Sequence, residues 1–119
     1  MSQSRYRAEV AAYVTAMGKA GFTPVKVSYL RWSEGTGEDD MDTVRSEAEA
    51  IDLILSTEDS RLYFTMPSGA MGWVYFVLGN DPGEAVSDWA IPENGDEAEQ
   101  LERLIYRVSD RFDPDVNPD

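Results

Sequence analysis

The sequence predicts a two-layer α+β domain: three or four mostly antiparallel strands packed by two or three helices, in the order α-β-α-β-β-(β)-α. Three observations predict it. Segments near both ends carry apolar residues at helical spacing. Between them, short runs alternate at period two and are separated by Gly- and Pro-containing turns. Finally, 119 residues with 42% apolar side chains suit one core and one domain spanning residues 1–119.

Tyr6, Val10, Tyr13, Val14 and Met17 fall on one face of a first helix, with Ser4 as a candidate N-cap and Gly18 or Gly21 as its stop. Val25, Val27 and Tyr29 alternate with Lys26 and Ser28, which predicts a strand ending near Trp32. Residues 33–43 are acidic, contain Gly and lack periodicity, so they are expected to form a mobile loop. Ser46 and Glu49 give an S-x-x-E capping signal before the apolar stripe Ala48, Ile51, Ile54 and Leu55, predicting a helix over 44–56.

Leu62, Phe64 and Met66 alternate with Tyr63 and Thr65, and Pro67-Ser68-Gly69-Ala70 is a turn leading into Trp73–Leu78. That second run is apolar on both faces, as expected of an interior strand, and the two runs form a hairpin. Residues 84–89 fit either a helical turn or a short edge strand. Ala98, Leu101, Leu104, Ile105, Val108 and Phe112 define the face of a last helix, followed by a frayed acidic tail at 113–119.

The charge is uneven. Ten Lys and Arg face 23 Asp and Glu, for a net −13. Residues 1–33 carry +4 and residues 34–119 carry −17. Direct nucleic-acid binding is disfavoured, because affinity for a phosphate backbone comes from cationic neutralisation. The chain has no Cys and no His, which excludes disulfides, thiol nucleophiles, imidazole bases and zinc sites built on those ligands. No apolar stretch has the length of a signal-peptide core or a membrane span, so a cytoplasmic protein without membrane association is expected.

Carboxylate–metal chemistry is the one enzymatic route the composition leaves open, since hard cations take oxygen ligands from acidic clusters. The EF-hand spacing is not present, nor is a phosphate-binding Gly-rich loop. The chain is therefore expected to be no enzyme, with no metal, cofactor or catalytic residue. Tyr63, Phe64, Trp73, Tyr75 and Phe76 occupy a stretch without acids, between Arg61 and Asn80. Alternation allows one set to enter the core and the other to face a partner.

Residues 72–89, Gly72-Trp73-Val74-Tyr75-Phe76-Val77-Leu78-Gly79-Asn80-Asp81-Pro82-Gly83-Glu84-Ala85-Val86-Ser87-Asp88-Trp89, resemble a W-V-x-F-V-x-G-N-x-x-x-E-x-I-x-D-aromatic pattern of small uncharacterised accessory proteins of phages, plasmids and other mobile elements. Val86 stands where that pattern often has Ile, and Trp89 where it often has Tyr. The resemblance implies an accessory protein of a mobile element and carries no catalytic residue.

Two functions follow as expectations. The first is inhibition of a nucleic-acid-binding host protein by charge mimicry, a design similar to anti-CRISPR and anti-restriction inhibitors. Its contact residues would be Glu34, Glu38, Asp39, Asp40, Asp42, Glu47, Glu49, Asp81, Glu84 and Asp88, meeting a host or phage protein with a basic surface. The second is a non-catalytic protein–protein interaction module, able to dimerise through residues 62–78, whose acidity serves solubility or salt adaptation.

Overall fold

A computed structural model of the chain describes residues 2–29, 40–78, 83–90 and 95–112. Its elements are α1 (Ser2–Lys19), β1 (Thr23–Tyr29), β2 (Asp40–Thr43), α2 (Glu47–Leu55), β3 (Asp59–Thr65), β4 (Met71–Val77), β5 (Val86–Ala90) and α3 (Gly95–Phe112). The strands form one antiparallel sheet in the order β2-β1-β3-β4-β5. The α+β class is as expected from the sequence, with five strands rather than three or four.

The additional strand is β2, which corrects the expected loop over 33–43 at its C-terminal end. Its sequence, Asp-Met-Asp-Thr, has no apolar alternation, and its order comes from the otherwise free edge of β1. Lys26 pairs with Thr43 and Tyr29 with Asp40, and the Val44 N–H donates to the Val25 carbonyl at 2.8 Å. That pairing holds Val44 outside the helix, so α2 begins at Glu47 rather than at residue 44. Ser46 is extended at φ −155° and accepts from the Glu49 N–H at 3.1 Å, satisfying one orphan donor of the first turn. Glu49 Oε1 accepts from the Arg45 N–H at 2.7 Å, a capping box displaced by one residue. The rest of the expected loop and the 113–119 tail lie outside the described residues.

β3 and β4 form the expected hairpin. The Met66 N–H donates to the Ala70 carbonyl at 2.8 Å, and Gly69 takes φ 92°, a region that suits a residue without Cβ. Residues 86–90 settle into an edge strand rather than a helical turn.

One face of the sheet is covered. Val27, Leu62, Phe64, Val74 and Phe76 point into it and are buried. Against them pack Tyr6, Val10, Tyr13, Val14 and Met17 of α1, Ala50 and Ile54 of α2, and Leu101, Leu104, Ile105 and Val108 of α3. The Tyr13 ring meets Phe76 edge-on at 6.0 Å, and Trp89 of β5 meets Tyr106 of α3 in the same way at 5.9 Å. α1 lies centrally in the helical layer, with α2 over the β1–β3 side and α3 towards β5.

Candidate functional site

Strand alternation sends the other half of the residues to the opposite face, where none of the described helices packs. Buried positions alternate strictly with half-buried ones along β3, and those of β4 fall in step with them. Arg61, Tyr63 and Thr65 therefore share the open face with Trp73 and Tyr75. Tyr63 stands opposite Trp73, and Arg61 opposite Tyr75. The Arg61 guanidinium lies over the Trp73 ring at 4.7 Å, and Lys26 Nζ lies 5.0 Å from the Tyr63 ring centroid. Met41 and Met71 extend this surface and are 56% and 42% exposed. Asp59 and Asp88 reach the same face, each registered with it through β4. Partial burial, and then the Asp59 carboxylate, push the Tyr75 phenol above its ordinary range. Of the five aromatic residues singled out by the sequence, Phe64 and Phe76 are core, while Tyr63, Trp73 and Tyr75 form this surface.

The acidic candidates divide into two groups. Asp40 and Asp42 belong to β2, and Glu47 and Glu49 to the first turn of α2. Glu84 precedes β5 and Asp88 lies within it. Because β2 and β5 are the outer strands, four strand spacings separate the groups, about 19 Å. Glu34, Glu38, Asp39 and Asp81 lie outside the described residues. Several members are already engaged. Glu49 caps α2, the Asp88 Oδ1 accepts from the Trp89 N–H at 2.8 Å, and Glu47 lies so close over Gly18 that a methyl group there would strike its carboxylate.

A third feature is a buried polar cluster that face-by-face reading of the sequence passes over. Glu9 is 3% exposed. Its Oε1 accepts from the Gly83 N–H at 2.9 Å and its Oε2 from the Ala85 N–H at 3.0 Å. The Ser109 hydroxyl of α3 donates to the Gly83 carbonyl. Gly83 has φ 88°, which directs both of its backbone polar groups at the helices without a Cβ penalty. The segment entering β5 is thus pinned to α1 and α3. The available signal was Glu9 at i+3 from Tyr6 and i−4 from Tyr13, squarely on the apolar stripe.

The Tyr13 hydroxyl sits beside Glu9 and Ser109 but meets neither at hydrogen-bonding geometry. Burial, and secondarily the Glu9 carboxylate, push its ionisation well above the ordinary value of 10.0. An acid whose folded pKa is raised keeps its proton in the native state while the unfolded chain loses it. The stability it supports is therefore intact below pH 10 and falls as pH rises beyond it, by about 1.4 kcal/mol per pH unit. Tyr13→Phe is expected to be near-neutral at pH 7 and to remove this alkaline loss. Urea melts of both proteins at pH 8 and pH 11 check it; equal losses in the two would refute it.

A cleft of about 370 Å³ opens beside this cluster, lined by Tyr13, Gly83, Trp89, Tyr106 and Ser109 among others. A phenol held protonated cannot serve as a base near neutrality, and the Glu9 carboxylate is committed to two backbone N–H groups. Among the described residues no group of three Asp or Glu is placed to hold a metal ion. No described helix is long and apolar enough to cross a membrane. No protein-family model, curated protein or solved structure matches the chain.

Proposed function

We propose that this chain is a non-catalytic protein–protein interaction module that docks a partner on the open face of its sheet. The observation that carries this reading is the aromatic surface Tyr63, Trp73 and Tyr75, backed by Arg61 and Lys26, with no described helix over it. Rigid aromatic side chains with arginine at the centre and charge at the margin are the anatomy of binding hot spots.

Size determines what else must take part. The five strands, of four to seven residues each, give a face of roughly 480 Å², below the roughly 800 Å² per partner of a standard interface. Asp59 and Asp88 border this face and extend the contact, so the partner carries an apolar centre with a basic margin. A second copy is the weaker occupant, because two chains of −13 repel one another at low salt.

Charge mimicry is the second reading, and a specific observation favours it. Asp42, Glu47, Glu49 and Asp52 follow one another across the corner that joins β2 to α2, with Asp52 also paired to Arg7 at 3.2 Å. On that reading the partner is a nucleic-acid-binding host protein, and its basic groove covers this corner rather than the sheet face.

The test compares wild type, Trp73→Glu and the triple variant Asp42→Lys, Glu47→Lys and Glu49→Lys in capture from cell lysate at low and high salt. Sheet-face docking predicts a partner retained at high salt, lost with Trp73→Glu and only weakened by the triple variant. A partner lost with the triple variant and at high salt, but indifferent to Trp73→Glu, would replace it with charge mimicry. A salt-promoted dimer in sedimentation, abolished by Trp73→Glu, would assign the face to a second copy.

A further inference from the structure

The helical layer carries a surface of opposite polarity. α1 and α3 lie side by side, and the groove between them is lined by Lys19, Arg103, Arg107 and Arg111. Four of the ten cations in the chain thus border one groove, and among the described residues no carboxylate lines it. The groove comprises two clefts of about 350 and 520 Å³, floored by alanines of α1 and by Leu104 and Val108 of α3.

α3 sorts its charge to achieve this. Arg103, Arg107 and Arg111 recur every four residues, about 6 Å apart, along the edge facing α1. Glu99, Glu102 and Asp110 are not among the lining residues. Arg103 shares an exposed pair with Glu99 at 3.5 Å, which contributes little, and Arg111 lies 5.5 Å over the Phe112 ring. Lys19 and Arg107 have no carboxylate partner among the described residues. In a chain with more than twice as many acids as bases, Lys19 and Arg107, without a carboxylate partner among the described residues and set beside an apolar floor, are matched to an external anion.

We propose that the α1–α3 groove docks an acidic segment of a partner protein, with carboxylates along the cationic edge and aliphatic groups on the alanine floor. The segment spans about 18 Å, the rise from Ala8 to Ala20 along α1. At physiological ionic strength the Debye length is about 8 Å, so the acids on remote faces do not cancel the local field. The site is independent of the sheet face and would let the protein hold two partners of opposite charge.

The test uses a fluorescein-labelled peptide of about 16 residues bearing glutamate in every turn, and its glutamine counterpart, read by anisotropy. Wild type is expected to bind the glutamate peptide and not the glutamine one. Lys19→Glu with Arg107→Glu should weaken binding at least about tenfold, whereas Lys19→Arg with Arg107→Lys and the sheet-face variant Trp73→Ala should retain it. These groove positions are exposed, so the variants should melt with wild type. No binding, equal binding of the two peptides, or indifference to the charge reversal would each overturn the proposal. A dimer in sedimentation that the reversal dissolves would overturn it in favour of a second copy.

Discussion

Replacing Glu9 with alanine is expected to lower the unfolding free energy by about 2–5 kcal/mol. The change removes the only acceptor, among the described residues, for two buried N–H groups, those of Gly83 and Ala85, and each uncompensated buried donor costs about 1–3 kcal/mol. Domains of this kind are stable by about 5–15 kcal/mol, so the loss is a large share of the total. At about 4 °C per kcal/mol the melting temperature should fall by roughly 8–20 °C. Glu9→Gln keeps one acceptor oxygen but turns an NH₂ toward the second N–H, so it should fall between wild type and alanine. Thermal melts of the three proteins decide the magnitude, and hydrogen exchange at Gly83 and Ala85 decides the location. An alanine variant that melts with wild type and leaves those amides protected would show that the clamp contributes nothing.

Trp73→Ala should have the opposite profile, with a large effect on binding and a small one on folding. Truncating a central aromatic anchor costs at least about 2 kcal/mol of affinity, or about 30-fold in Kd. Trp73 is half-buried on a face outside the core, and its contacts include the Arg61 stack, which contributes about 0.5–1 kcal/mol at an exposed site. The stack also shields Arg61 Nε from water without giving it an acceptor, so truncation returns that N–H to solvent and offsets part of the loss. A captured partner titrated calorimetrically against both proteins, with a parallel urea melt, separates the two effects. Unchanged affinity would remove the sheet face from the contact.

The elements governed by local pattern were legible in the sequence. The stripe Tyr6, Val10, Tyr13, Val14 and Met17 is buried as its spacing requires, and so are Leu101, Leu104, Ile105 and Val108. Ser46 announced the start of α2 through its side-chain oxygen, and the apolar run at Trp73 announced an interior strand. What was not legible depends on contacts distant in sequence. β2 is four residues with two aspartates, and only the edge of β1 makes it a strand. The role of Glu9 was not legible, because its partners are backbone groups 74 and 76 residues away. The division of the acids between opposite flanks follows from strand order, which alternation does not encode. The α1–α3 groove was half legible, since Arg103, Arg107 and Arg111 repeat every turn, but its floor exists only once the two helices meet.

The outermost strands also govern how the molecule behaves in a crowd. β2 contributes Asp40 and Asp42 within four residues, and β5 contributes Asp88, so each unpaired rim of the sheet greets an incoming strand with negative charge. That guard is part of the chain's net charge of −13. As the medium acidifies toward the isoelectric point near 4.2, the repulsion fades while the backbone donors and acceptors along both rims stay in place. The rims then become templates for strand addition, and the route from monomer to end-to-end polymer opens through acidity rather than through unfolding.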